Sequence, residues 1–95
     1  MITNTQMLKF KDRSSETIAK ARDVLLSMQG KIEFLRDLKV EANIRQGASS
    51  YDLLMSAQYD SLEDLEAYII HPVHVEVAKY IASVLESSAV VCYES

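Results

Sequence analysis

The chain has 95 residues, 48% of them hydrophobic and 25% charged, with 10 Lys and Arg against 14 Asp and Glu. These proportions fit one globular domain over residues 1–95 and exclude a disordered chain. A net charge of -4 without a basic cluster argues against nucleic acid, and one Cys excludes an internal disulfide or a Cys-rich zinc site. So short a chain builds only a modest core, which regular secondary structure or a partner subunit must supplement.

Residues 2–10 alternate, with Ile2, Asn4, Gln6, Leu8 and Phe10 on one parity and Thr3, Thr5, Met7 and Lys9 on the other. That pattern predicts a first strand. Over 15–29 the period changes. Ile18, Ala21, Leu25, Met28 and Ile32 recur every three or four positions, a helical stripe. Ser14 or Ser15 caps its start, and Gly30 closes its end in the left-handed conformation.

Residues 36–45 return to period two. Leu38, Val40, Ala42 and Ile44 alternate with charged or polar residues and predict the cleanest strand. A turn at Gly47 to Ser50 leads to a third strand over 51–59, with Tyr51, Leu53, Met55, Ala57 and Tyr59 on one face.

Asp60 and Ser61 open a helix whose stripe is Leu62, Leu65, Tyr68 and Ile69. Pro72 ends it and can start the next one. There His74, Val77, Ala78, Ile81, Val84 and Leu85 share a face. Residues 88–93 make the last strand.

The order is strand, helix, strand, strand, helix pair, strand. This predicts an α+β fold of the ferredoxin-like βαββαβ type, a four-stranded antiparallel sheet with helices on one face. The other face, with Thr3, Thr5, Met7, Leu54, Ser56, Ala89 and Val91, is semi-apolar and has nothing left in the chain to cover it. A second copy, packed sheet to sheet as a homodimer, is the economical solution. No stretch reaches the roughly 18 apolar residues that span a bilayer, and the N-terminus lacks a basic leader and an apolar core. With the unpaired Cys92, this predicts a cytoplasmic protein without a membrane partner.

Both histidines fall in Tyr68-Ile69-Ile70-His71-Pro72-Val73-His74-Val75. Histidine is the usual general acid or base near neutral pH. His74 lies on the apolar stripe of its helix, and the Pro72 bend can bring it to Tyr68. A Tyr hydroxyl beside an imidazole in an apolar pocket can polarise a carbonyl while the imidazole takes a proton from a neighbouring carbon. The competing reading is a core histidine satisfied by backbone or by Tyr68. His71, before the proline, reads first as a capping or hinge residue. Together with Glu76 the histidines fix no metal site, because the proline separates them and spacing supplies no third ligand.

Leu8-Lys9-Phe10-Lys11-Asp12, Tyr51-Asp52-Leu53-Leu54, and Asp60-Ser61-Leu62-Glu63-Asp64-Leu65 running into Tyr68-Ile69-Ile70-His71-Pro72-Val73-His74 resemble the stress-responsive dimeric α/β-barrel domain family. The resemblance covers nearly the whole chain and implies a homodimeric barrel. Around the His-Pro-x-His segment the chain is similar to the olivetolic acid cyclase type of polyketide cyclase. That likeness implies Tyr68 and His74 as catalytic residues, no cofactor and no metal. It also implies a small organic ligand between sheet and helices, lined by Leu8, Phe10, Leu53, Met55, Val77 and Val90, with Asn4, Gln6 and His71 as further contacts. Asn4 stands where the cyclase has a first-strand His, and Glu76 where it has a Gly. Asn4 and Gln6 make that wall more polar than a slot for an alkyl tail, so the expected ligand is different and more polar. Two alternatives remain: a non-catalytic stress-response or interaction protein with a structural His74, and a cofactor-independent monooxygenase-like barrel.

Overall fold

In the computed structural model, which describes residues 1–95, the chain runs β1 (Ile2–Phe10), α1 (Ser15–Leu26), β2 (Arg36–Ala42), β3 (Leu53–Tyr59), α2 (Leu62–Ile69), α3 (Pro72–Val84) and β4 (Leu85–Glu94). The sheet order is β2-β3-β1-β4, with every pair antiparallel. This is the ferredoxin-like α+β fold expected from the alternation of periods.

The register explains which side chains meet the helices. Ile2, Gln6 and Leu8 of β1 oppose Tyr59, Met55 and Leu53 of β3, and Val40 of β2 opposes Met55. Apart from the half-buried Gln6, these form the buried core with Phe10, Ala21, Leu25, Met28, Val77 and Ile81. On the opposite face Thr5 and Met7 stand against Ser56 and Leu54 of β3 and against Val91 and Ala89 of β4. No helix covers that face, and Met7, Leu54, Val91 and Tyr93 remain exposed there. Thr3 is the exception. Its hydroxyl reaches Ser95 Oγ at 2.7 Å, and the residue is buried.

Several boundaries differ from the periodicity. Helix α1 stops at Leu26 instead of 29, and Gly30 takes φ +81° in the turn beyond it. Met28 and Ile32 stay in the core without being helical. Strand β2 ends at Ala42, and Ile44 is fully exposed (102%) instead of completing the apolar face. The cause is Asn43. Its Nδ2 donates to Tyr51 O, and its Oδ1 accepts from the Arg45 amide, which turns the chain out of the sheet. Near its start β2 carries an irregularity between Arg36 and Lys39, where Asp37 adopts φ 49°.

In α2 the side toward the core is Leu65 and Tyr68, while Leu62 and Ile69 are exposed. Positions 62 and 69 lie almost above each other on a helix, about a quarter-turn or more from Tyr68, so one short helix cannot bury both edges. Helix α3 passes directly into β4 at Leu85, three residues before the expected start at 88.

Candidate functional site

The α2–α3 junction is built by its own capping. Ile70 is the C-cap of α2, with Tyr68 in its last turn, and His71 is the N-cap of α3, its Nδ1 accepting from the Val73 amide at 3.1 Å. Pro72 follows as first helical residue, where its missing N–H costs nothing. This bend turns His74 back onto Tyr68, with ring centroids 4.3 Å apart and planes tilted by 44°.

His74 Nδ1 lies 2.8 Å from the carbonyl oxygen of Ile69. A carbonyl only accepts, so Nδ1 carries the proton in this hydrogen bond. In the neutral ring Nε2 then holds a lone pair, and no protein group occupies it.

Tyr68 is buried, and its hydroxyl donates weakly to Met28 Sδ at 3.8 Å. Burial pushes its pKa up to about 12, although the neighbouring Tyr59 hydroxyl lowers it somewhat. Tyr68 therefore stays protonated and acts as a hydrogen-bond donor. Tyr59 packs beside it, with centroids 5.2 Å apart. The Tyr59 hydroxyl is buried without a hydrogen-bond partner. Its pKa is raised, chiefly by burial.

A buried orphan hydroxyl is destabilising, because it has lost water and gained nothing. Tyr59→Phe, which removes only that oxygen, is therefore expected to raise stability by about 1 kcal/mol. Chemical denaturation checks this; a drop in midpoint would mean the hydroxyl has a partner in solution.

Tyr68 and His74 face a cavity of about 180 Å³ between the sheet and the helices α1 and α3, lined by 12 residues of which 10 are hydrophobic. For comparison, a dry apolar cavity of about 150 Å³ accepts benzene. Of the expected contacts, Gln6, Leu8, Met55 and Val77 line it together with Tyr68 and His74.

Asn4, Phe10, Leu53, His71 and Val90 do not line it. Phe10 and Leu53 are packed solid in the core. Asn4 lies two residues beyond Gln6 toward the strand end, beside Ala57 and Cys92. The ring of His71 is spent on its cap. Val90 shares the helix-side face with Gln6 but is 55% exposed, because the helices do not extend over the edge strand β4. In place of Val90 the wall is made by Leu25 and Met28 of the α1 region, by Ile81 of α3 and by Leu85 at the start of β4. The α1 stripe marked the first two as buried, but periodicity alone does not distinguish core from cavity wall.

No cluster of three or more His, Cys, Asp or Glu side chains is placed to hold a metal ion. His71 and His74 direct their Nδ1 atoms to different backbone groups, as the intervening proline requires.

A sequence profile of the stress responsive A/B barrel domain matches residues 2–95. The chain belongs to the stress responsive A/B barrel domain family. Among curated proteins, no sequence matches it. Among solved structures, it is similar to a dimeric ferredoxin-like protein of unknown function from Bacteroides fragilis, with TM-score 0.85 and 23% identity, covering 99% of this chain and 95% of that one. A dimeric ferredoxin-like protein from Thermobifida fusca gives TM-score 0.86 at 21% identity over 99% and 90%. The hydroxynitrile lyase of Passiflora edulis gives TM-score 0.83 at 15% identity over 97% and 90%. At these identities the structures establish the A/B barrel domain's fold in this chain and nothing finer.

Proposed function

We propose that this protein is a homodimeric barrel that binds a small organic molecule between sheet and helices and moves a proton on it without a cofactor. His74 Nε2 is the base, and the Tyr68 hydroxyl holds the oxygen on which charge develops. The observation that carries this reading is the His74 Nδ1 bond to Ile69 O, which in the neutral imidazole puts the lone pair on Nε2, beside an apolar cavity. The similarity in fold to a hydroxynitrile lyase supports chemistry on a small molecule by such a scaffold.

A ring-sized ketone tests it. With acetophenone deuterated at the methyl group, Nε2 takes a deuteron from the methyl carbon. The C–D electron pair forms the C=C bond of the enolate, and the carbonyl π pair moves to oxygen, where the Tyr68 O–H stabilises it. The imidazolium exchanges with water and returns a proton to carbon. Proton NMR is expected to show methyl protons growing in faster than in buffer. Exchange at the buffer rate, with the ketone bound in the cavity, would favour the structural role for His74. Its stacking on Tyr68 and its bond to Ile69 already give that reading some footing.

The dimer is proposed on the open sheet face, where Met7, Leu54, Val91 and Tyr93 are exposed. Structural relatives described as dimeric support it. Sedimentation at micromolar concentration is expected to give twice the 10.7 kDa chain mass. Replacing Val91 with Lys should shift the mass toward that of the monomer, and a monomer in the wild type would overturn the assignment.

A further inference from the structure

We infer that the ligand is an uncharged, ring-sized molecule with two polar groups, a carbonyl at His74 and Tyr68 and a second hydrogen-bonding group at Gln6. This rests on the ligand-binding reading above and sharpens it to a substrate class.

The first observation is charge. None of the 12 lining residues is Lys, Arg, Asp or Glu. An ionised carboxylate or phosphate moved into this apolar wall loses hydration, and beside the neutral His74 imidazole that the proposed base requires no counter-charge replaces it. Anions are therefore poor ligands, and so are ammonium compounds.

The second observation is Gln6. The helix-side face of β1 and β3 is otherwise apolar around the cavity, with Leu8 and Met55 as neighbours. Gln6 is half-buried there, and its side-chain amide makes no hydrogen bond to the protein. The Gln6 amide atoms are not sealed from solvent, so water serves them until a ligand takes its place. A primary amide both donates and accepts, so a hydroxyl or a carbonyl on the ligand satisfies it. Beyond Tyr68 and His74, Gln6 is the polar side chain on the wall, and it is the one that discriminates among ring-sized ketones.

The third observation is size. A cavity of about 180 Å³ takes one ring with short substituents.

The test titrates the full chain with four probes, followed by NMR shifts of cavity residues: acetophenone, 3- and 4-(hydroxymethyl)acetophenone, and benzoate. One hydroxymethyl isomer is expected to bind about three- to tenfold tighter than acetophenone, the contribution of one added neutral hydrogen bond. Benzoate is expected to bind about a hundredfold weaker or not at all. In Gln6→Leu the preference for the hydroxymethyl isomer over acetophenone should vanish. Benzoate binding as tightly as acetophenone, or a hydroxymethyl preference that survives Gln6→Leu, overturns the inference while leaving the ligand site intact. If none of the ketones shifts the cavity residues, the ligand-binding reading falls, and this inference with it.

Discussion

Asp52→Ala is expected to destabilise the fold by about 3–4 kcal/mol, a large share of the stability of a small domain. The reason lies in three groups that converge on one carboxylate. Asp52 Oδ2 accepts from the Phe10 amide at 2.9 Å, and Oδ1 accepts from Arg13 Nε and Gln46 Nε2, each at 3.0 Å. The carboxylate itself is wholly buried, whereas the Arg13 side chain is 25% exposed. Arg13 continues outward to the carbonyls of Gly47 and Ser50. The cluster therefore ties the end of β1 and the start of α1 to the loop between β2 and β3. Removing the carboxylate leaves the Phe10 amide buried without a partner and releases both the Gln46 and Arg13 anchors. Arg13→Ala should cost less, because Asp52 keeps Phe10 and Gln46. Asp52→Asn should fall between the two, since its oxygen still serves Phe10 while its NH2 confronts Arg13. Urea midpoints at one protein concentration check the order, and a loss below about 1 kcal/mol for Asp52→Ala would remove the cluster's claim to hold the loop.

The same carboxylate gives acid stability a defined sign. Burial pulls its pKa upward, but the Phe10 amide, Gln46 and Arg13 outweigh that and hold it below the usual 3.8. Between the folded value and 3.8 the unfolded chain binds the extra proton, so stability rises with pH there. The contribution is complete above the unfolded value and is lost as pH falls through the folded one. Asp12 shifts in the same direction, through the Ser14 amide and the Thr17 hydroxyl. Asp52→Ala should therefore flatten the acid limb without abolishing it.

Asp52 also shows where sequence reading stops. In Tyr51-Asp52-Leu53-Leu54 it looked like one polar residue on an alternating strand, because spacing along β3 says nothing of Arg13, 39 positions earlier. The elements themselves were legible, since the periods of 3.6 and 2 follow from local geometry. The pairing of Tyr68 with His74 was legible too, because both stripes meet across a proline that fixes the bend. Val90 was not. Its alternation marks the helix-side face correctly, yet whether a helix lies above an edge strand depends on where α3 ends, and α3 runs straight into β4. Ile44 failed for the opposite reason, a local Asn43 turn that overrode a continuing apolar alternation.

His74→Ala is expected to slow deuterium exchange on the ketone by about 10²–10⁴-fold, the usual contribution of a positioned base. Two different losses are mixed in that variant. The ring supplies the base, but it also stacks on Tyr68 and anchors to Ile69 O, so its removal loosens the α2–α3 bend as well. His74→Gln separates them. A glutamine amide can still donate to Ile69 while offering no basic nitrogen, so stability should recover and exchange should not. Tyr68→Phe makes the complementary cut. The ring contacts with Tyr59 and His74 survive, but the donor to the developing oxyanion is gone, and exchange should fall by about 10²-fold. Because Tyr68 holds its proton to about 12, that loss should be uniform across the neutral range, without an ionisation of its own. Exchange that persists in His74→Gln would reassign His74 to the packing of the bend and leave Tyr68 as a donor that fixes a bound carbonyl without acting on it.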